Sequence, residues 1–238
     1  MSFAPVLHAE WIKIRTLRSL LGALAAMASA TAAFATLAPS MAENDASDPL
    51  FAVFSGISFG QVAAVAFGTA AVSSEFRGGA LRLTLAAVPD RGRWFAAKLT
   101  AIALPALAVG LLTGLLTLLV GEAALGTSGP AWAEGLRGVV GCGLHLTLMA
   151  LFAAGLTAVL RSGVATLSVL IPFLLIASFV IGDVSGGVAD LLPDRAGQVA
   201  LHSSPDGSLG PWSGLAVTAV WTAAALLTGA WAVHRRDA

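Results

Sequence analysis

Apolar residues form long uninterrupted runs along this chain, and polar residues gather in the segments between them. Six runs come close to the about 20 residues that a helix needs to cross a bilayer core of about 30 Å. None of the six contains an internal Asp, Glu, Lys or Arg. The pattern therefore predicts an all-α membrane protein, a single transmembrane domain of six helices. The runs are Leu20–Leu37, Phe51–Val72, Leu99–Val120, Gly138–Leu160, Gly163–Ile181 and Gly214–Val233.

Basic residues lie mostly on one side of these runs. Three precede the first run, five lie between the second and third, one follows the fourth and two follow the sixth. Only Arg137 and Arg195 fall in the other segments, which hold acidic residues instead. Because cytoplasmic loops retain Lys and Arg, both termini and residues 73–98 are predicted to lie in the cytoplasm, and residues 182–213 to form an extracellular loop.

The N-terminal segment, residues 1–19, has a helical pattern of its own. Its apolar stripe consists of Phe3, Leu7, Trp11, Ile14 and Leu21. Such a helix lies in the cytoplasmic headgroup layer with its basic side chains reaching towards water. A basic tail that only sets topology, and a signal peptide cleaved near Ser40-Met41-Ala42, are the alternatives. The polar and aromatic residues assigned to this interfacial helix are Glu10, Trp11, Lys13, Arg15 and Arg18.

Composition narrows the possible chemistry. Hydrophobic residues make up 57% of the chain and charged residues 11%, against roughly a quarter charged in soluble domains. The formal net charge of +0 gives no overall field for nucleic acid. The single cysteine, Cys142, excludes an intrachain disulfide and a cysteine-based metal site. The two lysines follow Ile12 and Ala97, so the Gly-Lys of a nucleotide-binding P-loop is absent. No catalytic residue, metal or cofactor is predicted in this chain.

One motif in this chain is found at the catalytic sites of other proteins. Residues 56–60, Gly-Ile-Ser-Phe-Gly, match the G-x-S-x-G of serine hydrolases, and His145 is the one candidate base within a run. That motif requires a strand-turn-helix elbow, whereas small residues are common where membrane helices contact. We therefore favour helix contacts here and at Gly110 and Gly114, with His145 a neutral hydrogen-bonded side chain. A serine hydrolase built on Ser58, and a stand-alone secondary transporter or channel, are the alternatives.

The segment 73–98 is the most informative of the polar segments. Glu75 marks the end of the second run, where it is expected to cap a helix or pair with an arginine nearby in sequence: Arg77, Arg82 or Arg91. Gly78-Gly79 permits a sharp turn, and a short apolar element follows that Pro89 ends. A loop this apolar and this short is predicted to dock on another protein. Contact with anionic lipid is the alternative.

This loop resembles the hallmark loop of ABC-2 type transporter permeases, the membrane subunits of bacterial ABC exporters. The matching loop positions run from Glu75-Phe76 through Leu81-Arg82 and Thr84–Pro89 to Lys98, and Glu10-Trp11 with Lys13 resembles the family's entry helix. Weaker similarities lie at Leu160-Arg161-Ser162 and Leu192-Pro193, whereas residues 77–80 and Asp90 depart from the usual residues. The coupling residues that the resemblance implies are Glu75, Phe76, Arg77, Gly79, Leu81, Arg82, Pro89, Arg91 and Lys98.

The resemblance also implies how such a chain functions. It implies a permease half-subunit that dimerises with a second copy or a paralogue in the cell membrane. A separate ATP-binding cassette subunit would bind ATP and Mg and would act on residues 73–98. The permease pair would then alternate between inward and outward access and export a substrate.

Overall fold

The computed structural model of the chain describes residues 2–36, 48–125, 130–177, 190–203 and 209–235. These ranges are almost entirely helical and contain no strand, so the all-α prediction is confirmed for them. Five helices in them are long and apolar enough to cross a membrane. The chain therefore has the character of a multi-pass membrane protein.

The helices of the described ranges are labelled in chain order. They are α1 (Phe3–Thr16), α2 (Arg18–Ala35), α3 (Pro49–Phe54), α4 (Ile57–Ser73), α5 (Ala80–Ala87), α6 (Arg91–Leu125), α7 (Trp132–Leu160), α8 (Gly163–Pro172), α9 (Pro193–Gln198) and α10 (Pro211–Arg235). Three of them continue in another helical form. α4 ends in the 3-10 turn Ser74–Phe76, α8 in the π-helical segment Phe173–Ala177, and α9 in the 3-10 turn Val199–Leu201.

The five candidate spanning helices, α2, α4, α6, α7 and α10, correspond to five of the six predicted runs. The fifth run begins as the shorter apolar helix Gly163–Ile176. Its predicted end at residues 178–181 and the following loop up to residue 189 lie outside the described residues. Pro172 lacks a backbone N–H, and the helix changes from α to π geometry directly after it.

The second run is divided, which corrects the prediction of one helix over Phe51–Val72. α3 ends at Phe54 and α4 begins at Ile57. α3 has its own start signal, because the Asp48 side chain accepts the backbone N–H of Phe51 at 3.0 Å and Pro49 occupies the first helical position. A second correction concerns the third run, since α6 starts at Arg91 rather than at Leu99.

Small residues let the long helices approach one another around α7, which packs against α4, α6 and α10. A Cβ atom built on Gly110 of α6 would lie 3.0 Å from the Cα of Gly143 in α7. One built on Gly229 of α10 would lie 2.8 Å from the Gly155 carbonyl oxygen. Only glycine fits such backbone contacts, and Gly114 lies in the same α6–α7 interface, so the predicted helix contacts at Gly110 and Gly114 are confirmed.

Candidate functional site

Two glutamates and two lysines, far apart in sequence, meet at one end of the helix bundle. Lys13 on α1 donates hydrogen bonds to Glu10 at 3.0 Å and to Glu75, in the turn after α4, at 2.7 Å. Lys98 on α6 donates to the same Glu75 oxygen, Oε1, at 2.6 Å and also pairs with Glu10 Oε2. We call Glu10, Lys13, Glu75 and Lys98 the charge cluster. It contains both lysines of the chain.

The charge cluster is buried except at Lys13. The side chains of Glu10, Glu75 and Lys98 are between 2% and 4% exposed, whereas that of Lys13 is 37% exposed. Removing charges from water is strongly unfavourable unless opposite charges and hydrogen bonds replace the water. Here each lysine nitrogen bridges two carboxylates and the formal charges cancel. The arrangement therefore satisfies four ionised groups where lone charges would be excluded.

Two neutral side chains complete the hydrogen bonding of the cluster. The Trp94 indole N–H donates to Glu10 Oε1 at 3.3 Å, and the Thr84 hydroxyl donates to Glu75 Oε2 at 3.2 Å. Trp94 is fully buried. Thr84 lies on α5, so the cluster joins α1, the end of α4, α5 and the start of α6. These two residues were not among the predicted site residues, because neither carries a charge, although Thr84 lies within the loop that resembles the permease family.

The environment of Lys13 favours its charged form. Burial lowers the pKa of Lys13, but the hydrogen bond to Glu75 and the negative charge of Glu10 raise it, and the net result is a pKa above the ordinary value of 10.5. Lys13 therefore stays protonated at physiological pH. Part of the Lys13 side chain is exposed to water, and its Nζ binds both the Glu10 and the Glu75 carboxylate.

The partners of Glu75 correct one sequence-based expectation. Its ion pairs are formed with Lys13 and Lys98, not with an arginine of its own loop. Glu75 and Lys98, both predicted to couple this chain to a partner, are buried inside the chain, where they line cavities beside α5. Their geometry gives them a positioning role, because they fix the turn Ser74–Phe76 and α5 against α1 and α6.

α5 is held so that one of its faces is exposed. Gly78 and Gly79 precede it with φ angles of 61° and 74°, a left-handed turn that favours glycine. Leu81 is buried beneath the helix, while Leu83 is 75% exposed. The helix ends at Ala87, before Pro89, as predicted. The exposed apolar residues of α5 are Leu83, Ala86 and Ala87, which we call the α5 surface.

The other predicted site residues lie around this cluster. Arg91 Nη1 donates to the carbonyl oxygens of Val233 at 2.8 Å and His234 at 3.2 Å. These are terminal carbonyls of α10, where a positive charge is favourable. Phe76 lies under the guanidinium of Arg161, whose Cζ is 5.7 Å from the ring centre. Four of the arginines among the predicted site residues are exposed: Arg15, Arg18, Arg77 and Arg82.

α1 buries a face against the bundle that differs from its apolar stripe, which is predicted to face the headgroup layer. Its buried residues are Val6, Glu10 and Ile14, whereas Phe3 is 41% exposed and Trp11 is half-buried. The charge cluster explains the difference, because Glu10 must turn inwards to reach Lys98 on α6. The buried stripe therefore includes a carboxylate, which an analysis of hydrophobic positions alone does not find.

A second polar group lies at the opposite end of α7. Asp48 accepts hydrogen bonds from the backbone N–H groups of Phe51 and Ser203, each at 3.0 Å, and contacts His202 Nδ1 at 2.7 Å. The His202 ring stacks on Phe51 with centres 4.2 Å apart, and its carbonyl accepts from Arg137 at 2.6 Å. We call these five residues the Asp48 clasp. Burial raises the pKa of Asp48, but the backbone N–H groups and His202 lower it to below its ordinary value of 3.8.

The geometry does not support the alternative of a serine hydrolase built on Ser58 and His145. His145 is buried in α7, and its Nε2 lies 3.1 Å from the amide oxygen of Gln61, while its Nδ1 has no hydrogen-bond partner. Ser58 is therefore not hydrogen-bonded to this histidine. Within the described ranges no three His, Cys, Asp or Glu side chains are placed to hold a metal ion.

No protein-family model matches the sequence, and the search of curated proteins found no match.

Proposed function

We propose that this chain is the permease half-subunit of an ATP-driven exporter of the ABC-2 type. The observation that supports the proposal best is the charge cluster, which attaches a short helix with an exposed apolar face to the ends of two candidate spanning helices. The resemblance of residues 73–98 to the coupling loop of these permeases adds to it. The sequence has no P-loop lysine, and in this proposal a separate chain hydrolyses ATP.

In this proposal the α5 surface receives the ATP-binding subunit. An exposed leucine flanked by two alanines offers a small apolar contact that water does not favour. When the partner closes on ATP, it displaces α5. Thr84 donates to Glu75 in the turn Ser74–Phe76, and Glu75 is bound to Lys13 and Lys98. The displacement therefore reaches α1, α4 and α6 together. The permease pair would thereby alternate between inward and outward access.

The proposed topology has six spans with both termini in the cytoplasm. Arg91 at the start of α6 contacts the last carbonyls of α10, so the C-terminal end of α10 lies beside the loop that α5 occupies. α1 lies at the same end through the charge cluster. These contacts agree with the basic residues, which accumulate on that side. We propose that α8, with the residues that follow it, supplies the sixth span.

Reporter fusions test this topology. We expect external signals after residues 45, 130 and 205 and cytoplasmic signals after residues 90 and 236. The fusion after residue 90 matters most, because it follows α5 directly. An external signal at that position would remove the α5 surface from the reach of any cytoplasmic ATPase and would contradict the proposal.

Association with a partner tests the function itself. We expect the full chain, isolated from its native membrane, to retain an ATP-binding subunit, and ATP hydrolysis to require that subunit. Leu83→Ala should weaken the association by about tenfold or more, because most of one buried leucine side chain is lost from the contact. Leu83→Met, which conserves the volume, serves as the control. Wild-type association in Leu83→Ala, or ATP hydrolysis by the chain alone, would contradict the proposal.

A further inference from the structure

An open cavity of about 370 Å³ lies beside the charge cluster, on the other side of Glu75. It is bounded by the turn after α4, by the first turn of α5 and by the residue that follows α7. α5 separates it from Leu83, which lines a different cavity with Lys13 and Lys98. The residues that line the open cavity are Glu75, Phe76, Gly79, Leu81, Arg82 and Arg161.

The charge that this cavity presents is positive. Both oxygens of Glu75 are already engaged, Oε1 by Lys13 and Lys98 and Oε2 by Thr84. Arg82 and Arg161 supply the remaining charged groups of the lining. A guanidinium has five N–H donors, so each arginine can bind an anion while it keeps its contacts within the protein. Two such groups at one cavity match the several oxygens of a phosphate, which arginine binds with two parallel hydrogen bonds.

The backbone at Arg161 indicates that its side chain is needed at this place. Arg161 ends α7 with a φ angle of 53°, the only positive φ of a non-glycine residue in the described ranges. Glycine is the usual residue at such a helix end. The chain instead has an arginine there, with its guanidinium over the Phe76 ring beside the cavity. Strained positions of this kind are concentrated at functional sites.

The position of the cavity relative to the bundle identifies the ligand. Phe76 and Arg161 end two candidate spanning helices, one extending from Ile57 to Phe76 and the other from Trp132 to Leu160. The ends of membrane-spanning helices lie at the level of the lipid headgroups. Basic pockets between such helix ends bind the headgroups of anionic lipids. We propose that this cavity binds the phosphate of an anionic phospholipid between Arg82 and Arg161.

Lipid retention by the full chain in detergent tests the site, with phosphatidylglycerol and phosphatidylcholine as probes in native mass spectrometry. We expect wild-type protein to retain more phosphatidylglycerol than phosphatidylcholine. Arg161→Gly removes the guanidinium and suits the left-handed backbone, so it should fold and yet bind phosphatidylglycerol roughly tenfold more weakly. Arg82→Gln should have a similar effect, and Arg161→Lys a smaller one. Arg93→Gln removes one charge from the same side and should bind as wild type does.

Four results would overturn the site. Equal retention of the two lipids, or equal loss in Arg93→Gln and Arg161→Gly, would mean that overall charge attracts the lipid. Displacement of phosphatidylglycerol by free glycerol phosphate at comparable concentration would assign the cavity to a soluble phosphate compound. Unchanged lipid binding in Arg161→Gly with loss of a bound ATP-binding subunit would assign it to an acidic protein segment. The lipid measurements need no partner chain, so they test the lipid site independently of the proposed function.

Discussion

The two ends of the helix bundle hold their polar groups in different ways. In the charge cluster, four formal charges meet and three of the four side chains are almost completely buried. In the Asp48 clasp, one carboxylate is bound mainly by backbone N–H groups, and the histidine beside it is 34% exposed. The first arrangement depends on charge balance inside the protein. The second depends on local hydrogen bonds at a surface.

This difference has consequences for movement. Separating α1 or α6 from the charge cluster would leave an unpaired charge in the interior, and separating α5 would remove the Thr84 hydrogen bond from Glu75. These elements are therefore expected to move together. Opening the Asp48 clasp exposes groups that water can solvate, and its free-energy cost is correspondingly lower. If the chain works as the proposed exporter, the end with the charge cluster is suited to transmit a displacement, and the other end is suited to open.

The largest effect is expected from Lys98→Met, which breaks the charge cluster at its buried lysine. Glu10 and Glu75 would then share a buried site with Lys13 alone. Removing one partner of a buried ion pair costs about 3–5 kcal/mol. Unfolding in detergent, followed by a probe of helix content, should show a loss of stability of this size.

A double variant separates charge balance from packing in this experiment. Lys98→Met together with Glu75→Gln removes one charge of each sign and should recover part of the lost stability. If Glu75→Gln destabilises the Lys98→Met variant by as much as it destabilises wild type, the two residues do not interact. That additivity would contradict the charge cluster as described.

A smaller effect is expected at the Asp48 clasp. Asp48→Ala removes the helix cap of α3 and the acceptor of the Ser203 N–H, which together should cost about 2 kcal/mol. Because the folded protein lowers the pKa of Asp48, its contribution is present above pH 3.8 and is lost as the pH falls below that value. The stability difference between wild type and Asp48→Ala should therefore shrink below this pH.

An exposed aspartate provides the matched control for that pH dependence. Asp90 accepts the backbone N–H of Arg93 at 3.0 Å and pairs with its guanidinium, but it lies at the surface without a clasp. Asp90→Ala should change stability less than Asp48→Ala does. An equal change in both variants would mean that the Asp48 clasp adds nothing beyond a helix cap.

The sequence predicted the apolar helices well because crossing a membrane is a local property of about 20 residues. It did not predict the division at residues 55–56, because the run continues through it without a charged residue or a proline. All four residues of the charge cluster were predicted site residues, but their pairing was missed. Lys13 and Glu75 lie far apart in the chain, and pairing by sequence proximity pointed to arginines instead. One signal was present, because the two lysines of an arginine-rich chain both belong to this site.

The smallest effect is expected from Lys13→Met, and it sharpens the comparison within the charge cluster. Lys13 contacts the same Glu75 oxygen as Lys98 does, but 37% of its side chain is exposed, so water can replace it and the cost should be about 1 kcal/mol. Its pKa is raised in the folded protein, so its contribution is present below pH 10.5 and is lost as the pH rises above that value. Wild type should therefore lose stability at alkaline pH more than Lys13→Met does, in unfolding experiments on either side of that pH. Equal losses in Lys13→Met and Lys98→Met would show that burial does not distinguish the two lysines.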